Sequence, residues 1–430
     1  MKFDELSPSL FIKNRYKLHR QLLPGSVVVL PSGRRVTRNG DQHYPYRESS
    51  DFYYLAGISQ EGAVIVLAPG LPEPRLREVL FLPVPDDKTL RWEGRGFTPG
   101  EAVEASGIDN VQYMDCLESH LRHVMDWAGH VYLKHPGIAG NNKREPFEEG
   151  SLEKKIITSF PPRELHRLSP VMTRTRMLKE PAETDRIRKA IAITRTAFLS
   201  VLDQLKPGMY EYEVEALITY EFLRHGAEGH AFEPIVGSGQ NALVLHYVNN
   251  KDLCREGDLL LMDFGAEWGH YCADCSRTVP VNGRYTARQR ELYDATLRVF
   301  RQARQLMKPG TLMGDFHAAV GKIWEEEHVK LGLYSMQDLK KQPPSNPLWQ
   351  KYYWHGTSHS MGLDVHDPFD RSVPFREGMV FSCEPGIYIP EEGVAIRLEN
   401  DVFITSNGPE DLMEEIPLDP AEIEERLNRS

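Results

Sequence analysis

Cysteine is scarce in this 430-residue sequence: Cys116, Cys254, Cys272, Cys275 and Cys383 are an odd number spread thinly along a long chain. That excludes the disulfide framework of small secreted domains and agrees with a reducing compartment. Long apolar runs are missing too. No segment approaches the roughly 18 residues a membrane helix needs, and the opening MKFDELSPSLFIKNRYKLHR has no uninterrupted apolar stretch of the secretory kind. Positive charge is not in excess either, since the formal net charge is −11 and no long basic run occurs. Nucleic acid and anionic membranes are therefore poor partners. The expectation is a cytoplasmic protein that binds neither.

What is present is enough apolar material for large cores, with 40% hydrophobic and 26% charged residues. The length favours two domains. The first part alternates short apolar strands, SVVVL, GAVIVL and EVLFLPV, with mixed polar stretches, the pattern of an α/β domain. The segment FPPRELHRLSPVMTRTRM carries prolines and no periodic apolar face, which places a boundary there: an N-terminal α/β domain over 1–172 and a second domain over 173–430. A helix is expected from Pro181 to the stop signal Lys206-Pro207-Gly208. The fold class is α/β (α+β).

The second part reads as a diverged internal duplication. Thr194, Phe198, Lys206-Pro207-Gly208 and Ala216 are matched at a constant offset of 102 by Thr296, Phe300, Lys308-Pro309-Gly310 and Ala318. Further on, Arg255-Glu256-Gly257 before DLLLMDFG is matched at an offset of 121 by Arg376-Glu377-Gly378 before MVFSCEPG. The larger offset implies an insertion in the second copy, and LYSMQDLKKQPPSNPLWQK from Leu333 reads as that insertion and as a loop. In this alignment Asp263 falls on Glu384 and Gly265 on Gly386. Two copies related by a pseudo-twofold axis would bring two carboxylates to a shared centre.

Asp263 closes the apolar run DLLLM, where a lone carboxylate is costly unless something neutralises it. Asp274 follows in YCADCSRTVPV, which reads as the partner strand, and a hairpin would put both on one face. Taken singly, either could be a capping or turn aspartate. Glu384 sits at the corresponding strand end in FSCEPGIYI, and Glu399 follows in GVAIRLEND. Arg397 shares the face of Glu399, which keeps open a buried salt bridge between them. WHGTSHSMGLDVHD supplies His355, His359 and His366, and His246 lies in GSGQNALVLHY. Any single histidine would be structural by default; three beside four carboxylates point to a metal site. Cys272 and Cys275 form a CxxC, but without a second pair it is weak as a zinc or redox motif.

Four carboxylates balance two divalent cations, and one neutral histidine completes a largely oxygen-donor shell. Such a shell suits hard ions, with manganese first and zinc or cobalt as substitutes. A hydroxide held between two such ions is a nucleophile at neutral pH, because metal binding lowers the pKa of water from about 15.7 toward roughly 7. Amide hydrolysis is the natural use.

These segments, with IVGSGQNALVLHY, LLMDFGAEWGHYCADC, EPGIYI, IRLEND and, in the first part, YPYRESSDFYYLAG, identify a resemblance over nearly the whole chain. The chain resembles bacterial-type aminopeptidase P, a Xaa-Pro aminopeptidase of the pita-bread metallopeptidases. The resemblance implies a pita-bread catalytic domain with pseudo-twofold duplication behind a smaller creatinase-like domain. It implies metal ligands at Asp263, Asp274, His359, Glu384 and Glu399, with Asp274 and Glu399 bridging and Glu384 also the general base. His246 and His366 would stabilise the oxyanion or move protons, His355 would line the proline side, and Arg397 with Tyr388 would support the ligands. The implied substrates are peptides with proline second, and the implied assembly is a homo-oligomer, dimer or tetramer, in which Trp92 resembles a tryptophan that reaches an adjacent cleft. Prolidase, restricted to dipeptides, is the neighbouring reading. A catalytically silent peptide-binding member of the fold, or a metal-free creatinase-like hydrolase, is the reading from another class.

Overall fold

The chain was analysed as a computed structural model, which describes residues 5–134, 138–139, 143–144, 150–160, 164–343 and 345–429. Its contacts divide it into two compact units that meet in sequence between Arg176 and Met177. The division lies just beyond the 172/173 boundary set from sequence, because the supposed break is partly ordered. Strand Glu164–Arg167 and helix Ser169–Arg176 occupy it, both in the first unit. Pro161 and Pro162, which suggested the break, lie outside the described residues.

The first unit is built on a six-stranded mixed sheet of β1 (Ser26–Pro31), β2 (Val64–Leu67), β3 (Glu78–Leu82), β4 (Asn110–Tyr113), β5 (His130–Leu133) and β6 (Glu164–Arg167), in the order β6-β5-β1-β2-β3-β4. Val27 to Leu30 and Val64 to Leu67 are buried at every position, as expected of central strands covered on both faces. Helix Leu117–Trp127 lays Leu117, Leu121, Val124 and Met125 on one of those faces, the i, i+4, i+7, i+8 spacing of an apolar stripe.

The second unit carries the duplication. Helices α1 (Pro181–Gln204) and α2 (Glu211–Arg224) flank the first Lys-Pro-Gly, and α3 (Ala287–Leu306) and α4 (Met313–Lys330) flank the second. The matched glycines share their backbone geometry: Gly208 and Gly310 have φ +92° and +93°, and Gly257 and Gly378 have +87° and +89°. These left-handed values favour glycine, so the repeat is a repeat of turns as well as of letters. Each copy continues into an antiparallel strand pair, β7 (Leu259–Phe264) with β8 (Cys275–Pro280), and β9 (Val380–Cys383) with β10 (Asn400–Thr405). Inside each pair sits a smaller hairpin, Ala266–Trp268 with Tyr271–Cys272 and Gly386–Ile389 with Val394–Arg397.

Two expectations need correction here. YCADCSRTVPV is not one strand: it breaks at Ala273-Asp274, between Tyr271–Cys272 and β8. The insertion from Leu333 is not wholly a loop, since it contains helix Met336–Lys341 and a tight helical turn over Leu348–Lys351. The reason is local: Ser335 and Asp338 close a reciprocal capping box that satisfies the first amides of the short helix.

Candidate metal centre

The two strand pairs deliver the carboxylates. Asp263 stands one residue before the Phe264–Cys275 pair and Asp274 one residue before Cys275 on the returning strand. Glu384 follows Cys383 and Glu399 precedes Asn400, the residue paired with Cys383. The inner crossover is tight. A Cβ on Gly265 would stand 1.7 Å from the carbonyl oxygen of Ala273, so only glycine lets the backbones pass. His359 is fixed by main-chain bonds to the second pair: Ser382 N–H donates to the His359 carbonyl at 2.9 Å, and the His359 N–H to Ser382 Oγ at 3.1 Å.

These elements bring the expected residues to one cavity of about 420 Å³, lined by Asp263, Asp274, His359, Glu384, Glu399, His246, His355, His366 and Arg397. His359 Nε2 lies 3.3 Å from Asp274 Oδ2 and 3.8 Å from both Glu384 Oε1 and Glu399 Oε1. One potential ligand atom each from Asp274, His359 and Glu399 falls within 4.8 Å of the others. The His366 ring stands edge-on to His359 at 4.3 Å. His355 Nε2 meets the Tyr388 hydroxyl at 2.8 Å, and its Nδ1 is 3.4 Å from Glu384 Oε2.

Arg397 does not form the salt bridge to Glu399 that the shared strand face suggested. Its Nη2 donates to Asp263 Oδ2 at 2.6 Å, its Nη1 to the Tyr388 hydroxyl at 2.9 Å and its Nε to Ser276 Oγ at 2.8 Å. The Ser276 hydroxyl in turn donates to Glu399 Oε2 at 2.8 Å. One guanidinium thus holds a carboxylate from the first pair directly and one from the second through a hydroxyl.

The donor set fits divalent cations. Asp263 Oδ1, Asp274 Oδ1, Glu399 Oε1 and Asp401 Oδ1 are buried without a hydrogen-bond partner, a costly arrangement unless positive charge sits among them. Burial, and then the neighbouring charges of Glu399 and Asp263, lifts Asp274 well above the usual carboxylate range. Burial followed by Glu399 pushes Glu384 up to about 8, and burial followed by Asp263 pushes Glu399 up to about 7. These groups resist ionising together, and cations in the cavity remove the resistance. Burial also lowers His355 to about 3, which keeps it neutral, and lowers His366, with His359 adding to the effect.

Reading the sequence missed several contributors. Asp401 is fully buried, lifted by burial, and accepts the Asp274 N–H at 3.2 Å. Its signal was its place two residues after Glu399, on the same strand face. Ser276, two residues after Asp274, carried the same signal. Glu233, which lines the same cavity, had none. Cys272 and Cys275 are buried free thiols, and burial holds Cys275 up at about 12, which removes the redox reading of the CxxC.

The model of metallopeptidase family M24 matches residues 185–406, and that of the aminopeptidase P N-terminal domain matches residues 11–132. The chain is 35% identical to the Xaa-Pro aminopeptidase of Escherichia coli over 98% of each chain. It is 30% identical to human Xaa-Pro aminopeptidase 3, over 93% of this chain and 80% of that one. Among solved structures, Escherichia coli aminopeptidase P with the inhibitor Pro-Leu superposes with a TM-score of 0.87 at 34% identity, covering 99% of both chains. The zinc-substituted enzyme in complex with product superposes with a TM-score of 0.86 at 33% identity, again over 99% of both.

Proposed function

We propose, for a chain that belongs to metallopeptidase family M24 and carries the N-terminal domain of aminopeptidase P, hydrolysis of the bond between a peptide's first residue and a proline in second position. The fold is the α/β pita-bread fold of that family behind a smaller α/β domain, and the enzyme is a divalent-metal-dependent aminopeptidase. The observation that carries the reading is the convergence of Asp263, Asp274, His359, Glu384 and Glu399 on one cavity, with buried carboxylate oxygens lacking partners. We assign the five as the residues that would hold two divalent ions, manganese first and zinc or cobalt as alternatives. When bound, the ions supply Lewis acidity and lower the pKa of water.

The remaining steps belong to the chain's own side chains. Glu384, ionised once cations neutralise the acidic cluster, is the base that takes the proton of the attacking water and returns it to the proline nitrogen, which has no hydrogen of its own. His246 and His366 face the carbonyl oxygen and move protons. His355, neutral and held by Tyr388, lines the proline side beside the apolar Leu245 and Val248. Arg397 and Tyr388 keep the carboxylates aligned. The substrate's free N-terminal amine would sit against the metal and its carboxylates, which accounts for removal of one residue at a time. We also read the protein as a cytoplasmic homo-oligomer, dimer or tetramer; Trp92, 82% exposed on helix Asp87–Glu93, supports the association.

The test is a panel of tripeptides with proline second, assayed with added manganese and with chelator, beside the matching Xaa-Pro dipeptides. Metal-dependent cleavage of the tripeptides is expected. Cleavage of dipeptides alone would replace the reading with prolidase, and no cleavage by metal-loaded protein would leave only a silent peptide-binding protein.

A further inference from the structure

We infer a separate transition-metal site in the first unit, formed by His130, Glu164 and His166. Strands β5 and β6 run parallel, with Glu164 opposite His130 and His166 opposite Tyr132. Because side chains alternate along a strand, His130, Tyr132, Glu164 and His166 share one face of the sheet. One ring nitrogen from each histidine and the two Glu164 carboxylate oxygens sit close together. His130 Nδ1 is 3.0 Å from His166 Nε2 and 3.2 Å from Glu164 Oε2, and His166 Nε2 is 3.7 Å from Glu164 Oε1.

Those separations are the ones a cation requires. Ligands at about 2.0–2.1 Å in a tetrahedron stand roughly 3.3–3.4 Å apart, and the nitrogen–nitrogen and nitrogen–oxygen separations here, 3.0 to 3.7 Å, fall on either side of that value. The His166 ring is stacked on Tyr132, centroids 4.7 Å apart and planes 19° from parallel, which holds its Nε2 in place. The histidine side chains are 26% and 22% exposed and Glu164 is 66% exposed, so a fourth position stays open to water and the metal can exchange. Two imidazoles and one carboxylate suit zinc, nickel or copper better than manganese. Metal takes the place of the hydrogen bond between the two imidazoles, and the proton on the donating nitrogen moves through solvent to the other nitrogen of the same ring, which leaves both rings neutral.

The site lies at one edge of the sheet. β6 has four residues and is the edge strand, paired on one side only to β5. A metal held by both strands pins this edge strand to its neighbour and stabilises the folded unit by mass action. The inference is independent of the proposed hydrolysis, because none of the three residues lines the hydrolytic cavity.

Equilibrium dialysis of the full-length protein against Zn2+, followed by elemental analysis, tests it by difference. Wild type is expected to hold about one Zn2+ per chain more than His130→Ala or His166→Ala, and Glu164→Gln to hold that ion roughly tenfold more weakly. Manganese-dependent activity is expected to be unchanged in all three variants. Equal zinc content in wild type and folded His166→Ala overturns the site. Should that chain fail to fold, unaltered zinc affinity in Glu164→Gln, a change at an exposed side chain, overturns it equally.

Discussion

The two halves of the second unit share a plan and differ in what was added to it. Both have the helix pair, the glycine turns at nearly identical φ, and the strand pair with a small hairpin inside. Each strand pair contributes two carboxylates. The first half also lines the cavity with Phe232, Glu233, Ile235, Leu245, His246 and Val248. The second half also brings His355, His359 and His366 and, next to them, an insertion whose Trp349 is keyed against Gly321 and edges on His317. The repeated scaffold thus supplies the carboxylates that cations need, the proposed base Glu384 among them, and segments outside the repeated strands supply the histidines.

The largest effect is expected where the halves differ in chemistry. Glu384→Gln removes the proposed base from the second half and should lower kcat by about 10³-fold with the fold retained, measured on a Xaa-Pro tripeptide at saturating manganese. Near-normal turnover would erase the chemical distinction between the halves.

Next is the pair of matched glycines. Gly265→Ala drives a methyl into the Ala273 carbonyl and should cost about 3 kcal/mol by chemical denaturation, or prevent folding. Gly386→Ala meets the Tyr388 hydroxyl at 2.9 Å and His355 Nε2 at 3.2 Å, both side-chain atoms, and should cost about 1 kcal/mol while impairing turnover. Equal costs would mean that the two crossovers are equally tight.

The asymmetry should also show in acid. His328, fully buried between Trp324 and Tyr352, is held by burial down to about 3. Below pH 6.5 the unfolded chain binds a proton that the folded chain refuses until near pH 3, so stability falls as pH drops through that window. The loss is about 2 kcal/mol by pH 5. His328→Phe should flatten this part of the stability profile, and an unchanged slope would remove His328 as its source. The smallest effect is expected at the insertion's helix cap, where Ser335→Ala should cost about 1 kcal/mol or less and leave turnover untouched.

Much of this site was legible in the sequence because its signals are local or repeated. Asp263 and Glu384 were linked by the offset of their Arg-Glu-Gly leaders, and the histidine cluster spans a dozen residues. What escaped depends on contacts between distant segments. The guanidinium of Arg397 chooses Asp263, 134 positions away, over Glu399, and no strand periodicity can rank those partners. Asp401 had a place on the strand but no visible partner until Asp274 turned its amide toward it. The strand Glu164–Arg167 was hidden because an edge strand with exposed side chains has no apolar alternation to read.

Arg277, fully buried, has a consequence of its own. Its guanidinium donates to the carbonyls of Ser276, Glu399, Ile416 and Pro417 and to Asn400 Oδ1, stitching β8 to β10 across the repeat. Neither half can satisfy that group alone. Breaking the chain into its ancestral copies would therefore strand the Arg277 charge inside the first fragment and leave its acceptors in the second unmet, so the duplicated gene product has become irreversibly a single object, however alike its parts still look.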